Sequence, residues 1–178
     1  MRTASSKQRV TLMKKIRIAL LVVSVAAALV GRAALAGEAN TSGQPSTVVF
    51  ICEHGSAKSL VAANLFNRMA EQRGLSVRAV SRAASARTAD PKVPLKLARI
   101  MAEDGFEVAA FQPQAVTAAE AANASRVVVI GYDGDVEALG NAPVERWSGV
   151  APVGLDYAAA KRDIAAHVES LLRSIAER

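Results

Sequence analysis

Thr47-Val48-Val49-Phe50-Ile51-Cys52-Glu53-His54-Gly55-Ser56-Ala57-Lys58-Ser59 is the stretch from which the fold can be read. Its first five residues form an unbroken β-branched and aromatic run, the pattern of a strand buried on both faces. From about Ala57 to Arg73, Val61, Leu65, Phe66 and Met69 recur at helical spacing, and Gly74 ends the helix. The loop between them contains Gly55 and feeds a helix N-terminus, at the carboxyl end of a strand, where open α/β sheets place their sites. Successive backbone N–H groups in such a loop can wrap a tetrahedral oxyanion, helped by the helix dipole. The same positive potential favours a thiolate at Cys52. A thiolate facing a cradled phosphate is a nucleophile set for in-line attack. Lys58 can return a positive charge to the bound anion, and Ser59 can donate to the thiolate or cap the helix.

Outward from this unit, strand and helix signals alternate. Val77 to Ser81 reads as a second strand. Pro91 and Pro94 open a helix carrying Leu97, Ile100 and Met101, with Gly105 at its end. Thr117 caps a helical turn to Ala122, Val127 to Ile130 is a third buried strand, and Val144 to Trp147 a fourth. Asp156 caps a last helix with Ile164, Val168, Leu171, Leu172 and Ile175 on one face. This alternation predicts a small parallel α/β sheet with helices on both faces.

The chain has 178 residues, 51% of them hydrophobic and 21% charged, as expected for about one globular domain. A single cysteine excludes an internal disulfide framework and any multi-cysteine metal site, and two histidines leave little for a His-rich one. The formal charge of +6 comes from 22 Lys and Arg against 16 Asp and Glu. Seven of those basic residues and no acidic one fall within 1–36, which leaves the rest of the chain at −1. A nearly neutral body gives no electrostatic reason for a nucleic-acid partner. The segment 1–36 reads as a secretion signal. Lys14, Lys15 and Arg17 precede an apolar run from Ile18 to Val30, and Ala34-Leu35-Ala36 predicts cleavage before Gly37. The apolar run is shorter than the ~20 residues of a membrane span. The expected location is therefore periplasmic or secreted, with membrane contact only during export. The alternatives are an uncleaved anchor, or a mis-called start, the domain then being cytoplasmic. Residues 37–46 form a flexible lead-in, and 47–178 the domain.

Val49-Phe50-Ile51-Cys52, five residues, then Lys58-Ser59 and a helix resemble the low-molecular-weight protein tyrosine phosphatase superfamily, which includes thiol-dependent arsenate reductases. The family loop is Cys, five residues, Arg, Ser. Cys-Glu-His-Gly-Ser-Ala-Lys-Ser looks closer to the arsenate reductase form, Cys-x-x-Asn-Ser-Ala-Arg-Ser. The resemblance runs over most of the chain after the leader, and Asp90-Pro91 precedes the family's second helix. It implies a four-stranded parallel sheet flanked by helices. It also implies Cys52 as nucleophile, the loop Glu53, His54, Gly55, Ser56, Ala57, Lys58 and Ser59 as oxyanion cradle, and no metal or organic cofactor.

Three departures bear on activity. Lys58 stands for the family arginine, so a point charge replaces a planar fork. Gly55 stands for the asparagine, which keeps the left-handed backbone and loses a side-chain tether. The general acid of an Asp-Pro pair falls at Ala151-Pro152, so the aspartate is missing and the rate should fall about 10²–10⁴-fold. Asp156 is a weak candidate substitute; helix capping is its simpler role.

Three readings follow: hydrolysis of a phosphomonoester through a cysteinyl-phosphate, arsenate reduction completed by an external thiol, or non-catalytic binding of exported oxyanions. The ligand in each is a phosphate or arsenate oxyanion or a phosphorylated substrate. His54 reads as a loop tip and Glu53 as outward-pointing. Trp147 is expected to be packing, Tyr132 and Asp133 turn residues or cleft walls, and Arg82 and Arg87 solvated or anion-binding.

Overall fold

The computed structural model describes residues 45–140 and 143–177. The leader read at 1–36 and most of the lead-in at 37–46 lie outside the described residues. Four strands, β1 (Ser46–Cys52), β2 (Val77–Ala83), β3 (Arg126–Ile130) and β4 (Val144–Trp147), form one sheet in the order β2-β1-β3-β4. All pairs are parallel, with Cys52 opposite Ala83 and Ile130 opposite Trp147. The helices are α1 (Lys58–Gln72), α2 (Leu95–Glu103), α3 (Ala118–Asn123) and α4 (Tyr157–Ala176). The chain leaves β1 for β2 on one side and then crosses to β3 on the other. The carboxyl end of β1 is therefore the topological switch point where α/β sheets bind ligands.

Alternating side chains of the two central strands explain the layering. Val48 and Phe50 of β1 and Val128 and Ile130 of β3 pack against α1, α2 and α4. Val49, Ile51, Val127 and Val129 face the opposite way, onto α3 and a 3₁₀ turn at Glu137–Leu139. With both faces covered, the strands must be continuously apolar. Trp147 is 2% exposed; it packs on Phe50 and stacks on His167 of α4 with ring centroids 4.8 Å apart, so it is core, as expected.

Helix α2 begins one turn later than the first of its two prolines. Val93 precedes Pro94 and is steered to extended backbone. Pro94 itself has ψ 130°, so the helix opens only at Leu95. Thr117 caps α3 in a reciprocal box: its hydroxyl accepts from the Glu120 N–H, and the Glu120 carboxylate accepts from the Thr117 N–H.

Glu120 also holds Arg82 of β2. Arg82 Nε donates to Glu120 Oε1 at 2.8 Å, and Arg82 Nη2 pairs with the same oxygen. The Arg82 guanidinium, seconded by Thr117, holds the Glu120 carboxyl below its ordinary value of 4.5, against the opposing effect of burial. A depressed carboxylate stabilises the fold fully above its unfolded value and loses that contribution as pH falls through its folded one. Melting temperature should therefore drop between about pH 5 and pH 3. Arg82→Met should flatten part of that drop. Asp104, lowered by Lys161 and Tyr157, titrates in the same direction and supplies a remainder. Equal slopes in the two proteins would contradict this assignment.

Candidate active site

The loop after β1 is built by where its carbonyls go. The carbonyls of Cys52 and Glu53 both face the Ala84 N–H, at 3.0 and 3.3 Å. The His54 carbonyl accepts from the Asp90 N–H at 3.1 Å, and the Gly55 carbonyl lies 3.0 Å from the Ser81 hydroxyl. Four consecutive carbonyls thus turn toward β2 and the segment after it. A trans peptide is planar, so its N–H points opposite to its C=O. Anchoring these carbonyls on one side aims the N–H groups of Glu53, His54, Gly55 and Ser56 to the other. Among the described residues, none of those four N–H groups donates to another backbone group. Helix α1 adds its own free N-terminus, because Ala57 at the cap position supplies no side-chain hydrogen bond. The result is a run of N–H donors left without backbone partners beside a helix N-terminus, a grouping that can bind a tetrahedral anion.

Gly55 lets the loop lie this close to the sheet. Its φ is +71°, and a Cβ there would sit 2.7 Å from the Ala83 nitrogen and 3.0 Å from the Arg82 carbonyl carbon. The position excludes a side chain on two independent grounds.

Cys52 is buried at the end of β1 and has its Sγ 3.0 Å from Ser59 Oγ, on the first turn of α1. Ser59 Oγ is in turn 2.8 Å from Ser81 Oγ of β2. The chain of contacts is therefore Cys52, Ser59, Ser81, Gly55 carbonyl. Ser81 Oγ is the donor toward both Ser59 Oγ and the Gly55 carbonyl, so its single proton serves one of them at a time. With Ser81 donating to it, Ser59 is free to turn its own proton toward the Cys52 sulfur. Ser81 was not legible as a site residue. Its signal was present: it falls at an inward position of β2, on the face of Val77, Ala79 and Ala83, where a polar side chain needs a partner.

Lys58 opens α1, and its side chain crosses to the carboxyl end of β3. A Cβ on Gly131 would meet Lys58 Nζ at 2.2 Å. Gly131 has φ +53° and donates its N–H to the Trp147 carbonyl at 2.9 Å. It is the bare patch of backbone over which the ammonium rests, next to the strand that carries Cys52. Among the described residues Lys58 has no carboxylate partner.

Glu53 and His54 are exposed at the loop tip, as read from the sequence. Arg82 is occupied by Glu120 and the Ser81 carbonyl, and Arg87 is exposed. Asp133 is exposed; Tyr132 folds its ring over Gly134 and packs against the second core cluster. Asp156 takes the capping role, Oδ1 accepting from the Ala159 N–H at 2.9 Å. The carboxylate that touches the Ala151-Pro152 pair is Asp163 of α4, which accepts the Ala151 N–H at 3.4 Å. Among the described residues, no cluster of three or more His, Cys, Asp or Glu is placed to hold a metal ion.

Comparison with known proteins gives the same outline. No curated protein matches the chain by sequence. Among solved structures, YfkJ from Bacillus subtilis superposes with a TM-score of 0.63 at 16% identity, over 76% of this chain and 97% of that one. A protein tyrosine phosphatase from Entamoeba histolytica gives a TM-score of 0.64 at 12% identity, over 75% and 97%. An arsenate reductase from Archaeoglobus fulgidus gives 0.52 at 26% identity, over 74% and 99%. The family model for low molecular weight phosphotyrosine protein phosphatases matches residues 47–170, from the first strand through most of the last helix. With the matched span covering the sheet, the loop and Cys52, the chain belongs to the low molecular weight phosphotyrosine protein phosphatase family.

Proposed function

We propose that the domain hydrolyses an activated phosphomonoester through a cysteinyl-phosphate intermediate. The observation that carries this reading is the anchoring of four consecutive carbonyls toward β2 and the segment after it, which leaves the N–H groups of residues 53–56 without backbone partners next to a buried cysteine hydrogen-bonded to Ser59. In the first step the Cys52 thiolate attacks phosphorus, the bond to the ester oxygen breaks, and the leaving group departs with the electron pair. The N–H groups of residues 53–58 and the Lys58 ammonium hold the equatorial oxygens as charge builds on them. In the second step water attacks phosphorus, inorganic phosphate leaves, and Cys52 is restored. With Ala151 at the acid position and Asp156 engaged in its cap, leaving groups that need no proton are strongly preferred. Under this reading the leader at 1–36 places the domain outside the cytoplasmic membrane.

The test is hydrolysis of aryl phosphates of graded leaving-group acidity by the full chain under reducing conditions. Rates should fall steeply as the leaving group becomes less acidic. Lys58→Arg should raise kcat/KM about tenfold by restoring a two-pronged contact. No release from the most activated ester, or no response to Lys58→Arg, would count against the mechanism.

The missing acid favours a second reading, because arsenate reduction needs less help at the leaving oxygen. Here the Cys52 thiolate bonds to arsenic and hydroxide leaves. A low-molecular-weight thiol then attacks the sulfur, giving a mixed disulfide and arsenite; arsenic gains the two electrons the sulfurs lose. A second thiol frees Cys52. Cys52 is the chain's one cysteine, so both thiols must come from outside. Arsenite release that depends on added thiol is the discriminating result.

A further inference from the structure

The cradle lacks the asparagine tether its family resemblance implies, and the structure shows what holds it from outside. Asp90 lies in the segment between β2 and α2, 34 residues from Ser56 in sequence. It grips the loop twice. Its N–H donates to the His54 carbonyl at 3.1 Å, and its carboxylate oxygen Oδ2 accepts from the Ser56 hydroxyl. Ser56 is 1% exposed, so that hydroxyl has no ready substitute in water. Fixing the His54 carbonyl aims the Gly55 N–H, and fixing the Ser56 side chain sets the two peptides on either side of it.

We propose that Asp90 is a positioning residue for the oxyanion cradle, acting through Ser56. It supplies from the second loop the restraint that Gly55 cannot supply from within. A carboxylate this near an anion site opposes the ligand's charge, so its presence needs a compensating role. Fixing the loop before ligand arrives provides that role, because a cradle already in place loses less on binding. The inference rests on the oxyanion reading of the loop and goes beyond it by naming what pre-forms the site.

The experiment is titration of the full chain with inorganic phosphate by calorimetry, for wild type, Asp90→Ala, Asp90→Asn, Ser56→Ala and the double variant Asp90→Ala/Ser56→Ala. Thermal melts of each provide the fraction folded. Asp90→Ala and Ser56→Ala should each weaken phosphate binding about tenfold, the scale of one hydrogen bond to a charged group. The double variant should be no weaker than either, because both break one contact. Asp90→Asn keeps an acceptor and removes the opposing charge, so it should bind phosphate as tightly as wild type or tighter. Wild-type affinity in folded Asp90→Ala, additive losses in the double variant, or Asp90→Asn as weak as Asp90→Ala would each overturn the proposal while leaving the oxyanion reading intact. No phosphate binding by wild type would overturn both.

Discussion

Cys52→Ser leaves the full chain without measurable phosphate release, a loss of at least about 10⁴-fold, the scale seen when a nucleophile is removed from a site that otherwise remains whole. The reason is chemical. At neutral pH a serine hydroxyl in this position has no adjacent base to take its proton; its neighbours are the hydroxyls of Ser59 and, beyond it, Ser81. Phosphate binding should survive, because the donors are backbone N–H groups whose carbonyls are anchored to Ala84, Asp90 and Ser81 rather than to the thiol. Steady-state hydrolysis beside phosphate titration separates the two effects. Activity retained in Cys52→Ser would make the thiol a bystander buried at a strand end.

The second large effect runs against the family resemblance. Gly55→Asn restores the residue implied there and should nevertheless destroy the cradle. Asparagine tolerates the φ of +71°, but the wall does not yield: the atoms a Cβ would meet are Ala83 N at 2.7 Å, Arg82 C at 3.0 Å and Ala83 Cα at 3.1 Å, all backbone of a strand paired to β1. Moving them means opening the pairing of Cys52 with Ala83. Gly55→Asn and Gly55→Ala should each destabilise the fold by about 2–4 kcal/mol, combining overpacking with, for alanine, a strained backbone. Each should weaken phosphate binding by more than about 100-fold. Urea melts and calorimetry read the two losses. An asparagine variant that is as stable as wild type and binds phosphate more tightly would show that the loop can lift from β2, and that its close seat there is dispensable.

The contrast explains what was legible beforehand. Among the described residues, the four strands and four helices announced themselves through local periodicity and caps, because the signal for each lies within its own residues. Cys52, Lys58 and Ser59 could be singled out as candidates for the same reason: the loop is contiguous, and its order of residue types suggests the chemistry. Ser81, Asp90 and Gly131 were not. Each joins the site across the sheet, and only the parallel pairing of β1 with β2 and β3 decides who meets whom. Ser81 left a trace as a polar residue on a buried face. Asp90 left none, since Ala-Asp-Pro reads equally well as an ordinary turn. Gly131 was visible as a glycine after a strand, but its role as the seat of Lys58 exists only in three dimensions.

Under the proposed mechanism Cys52 forms a covalent bond to phosphorus within this cradle. The most direct measurement is the intact mass of the full chain after rapid acid quenching of its reaction with an activated aryl phosphate, followed by peptide mapping. The expected result is an added phosphoryl group on Cys52 that builds up within the first turnover and is absent from Cys52→Ser. Release of the aryl group with no adduct at any quench time, or with the phosphoryl group on another residue, would contradict it.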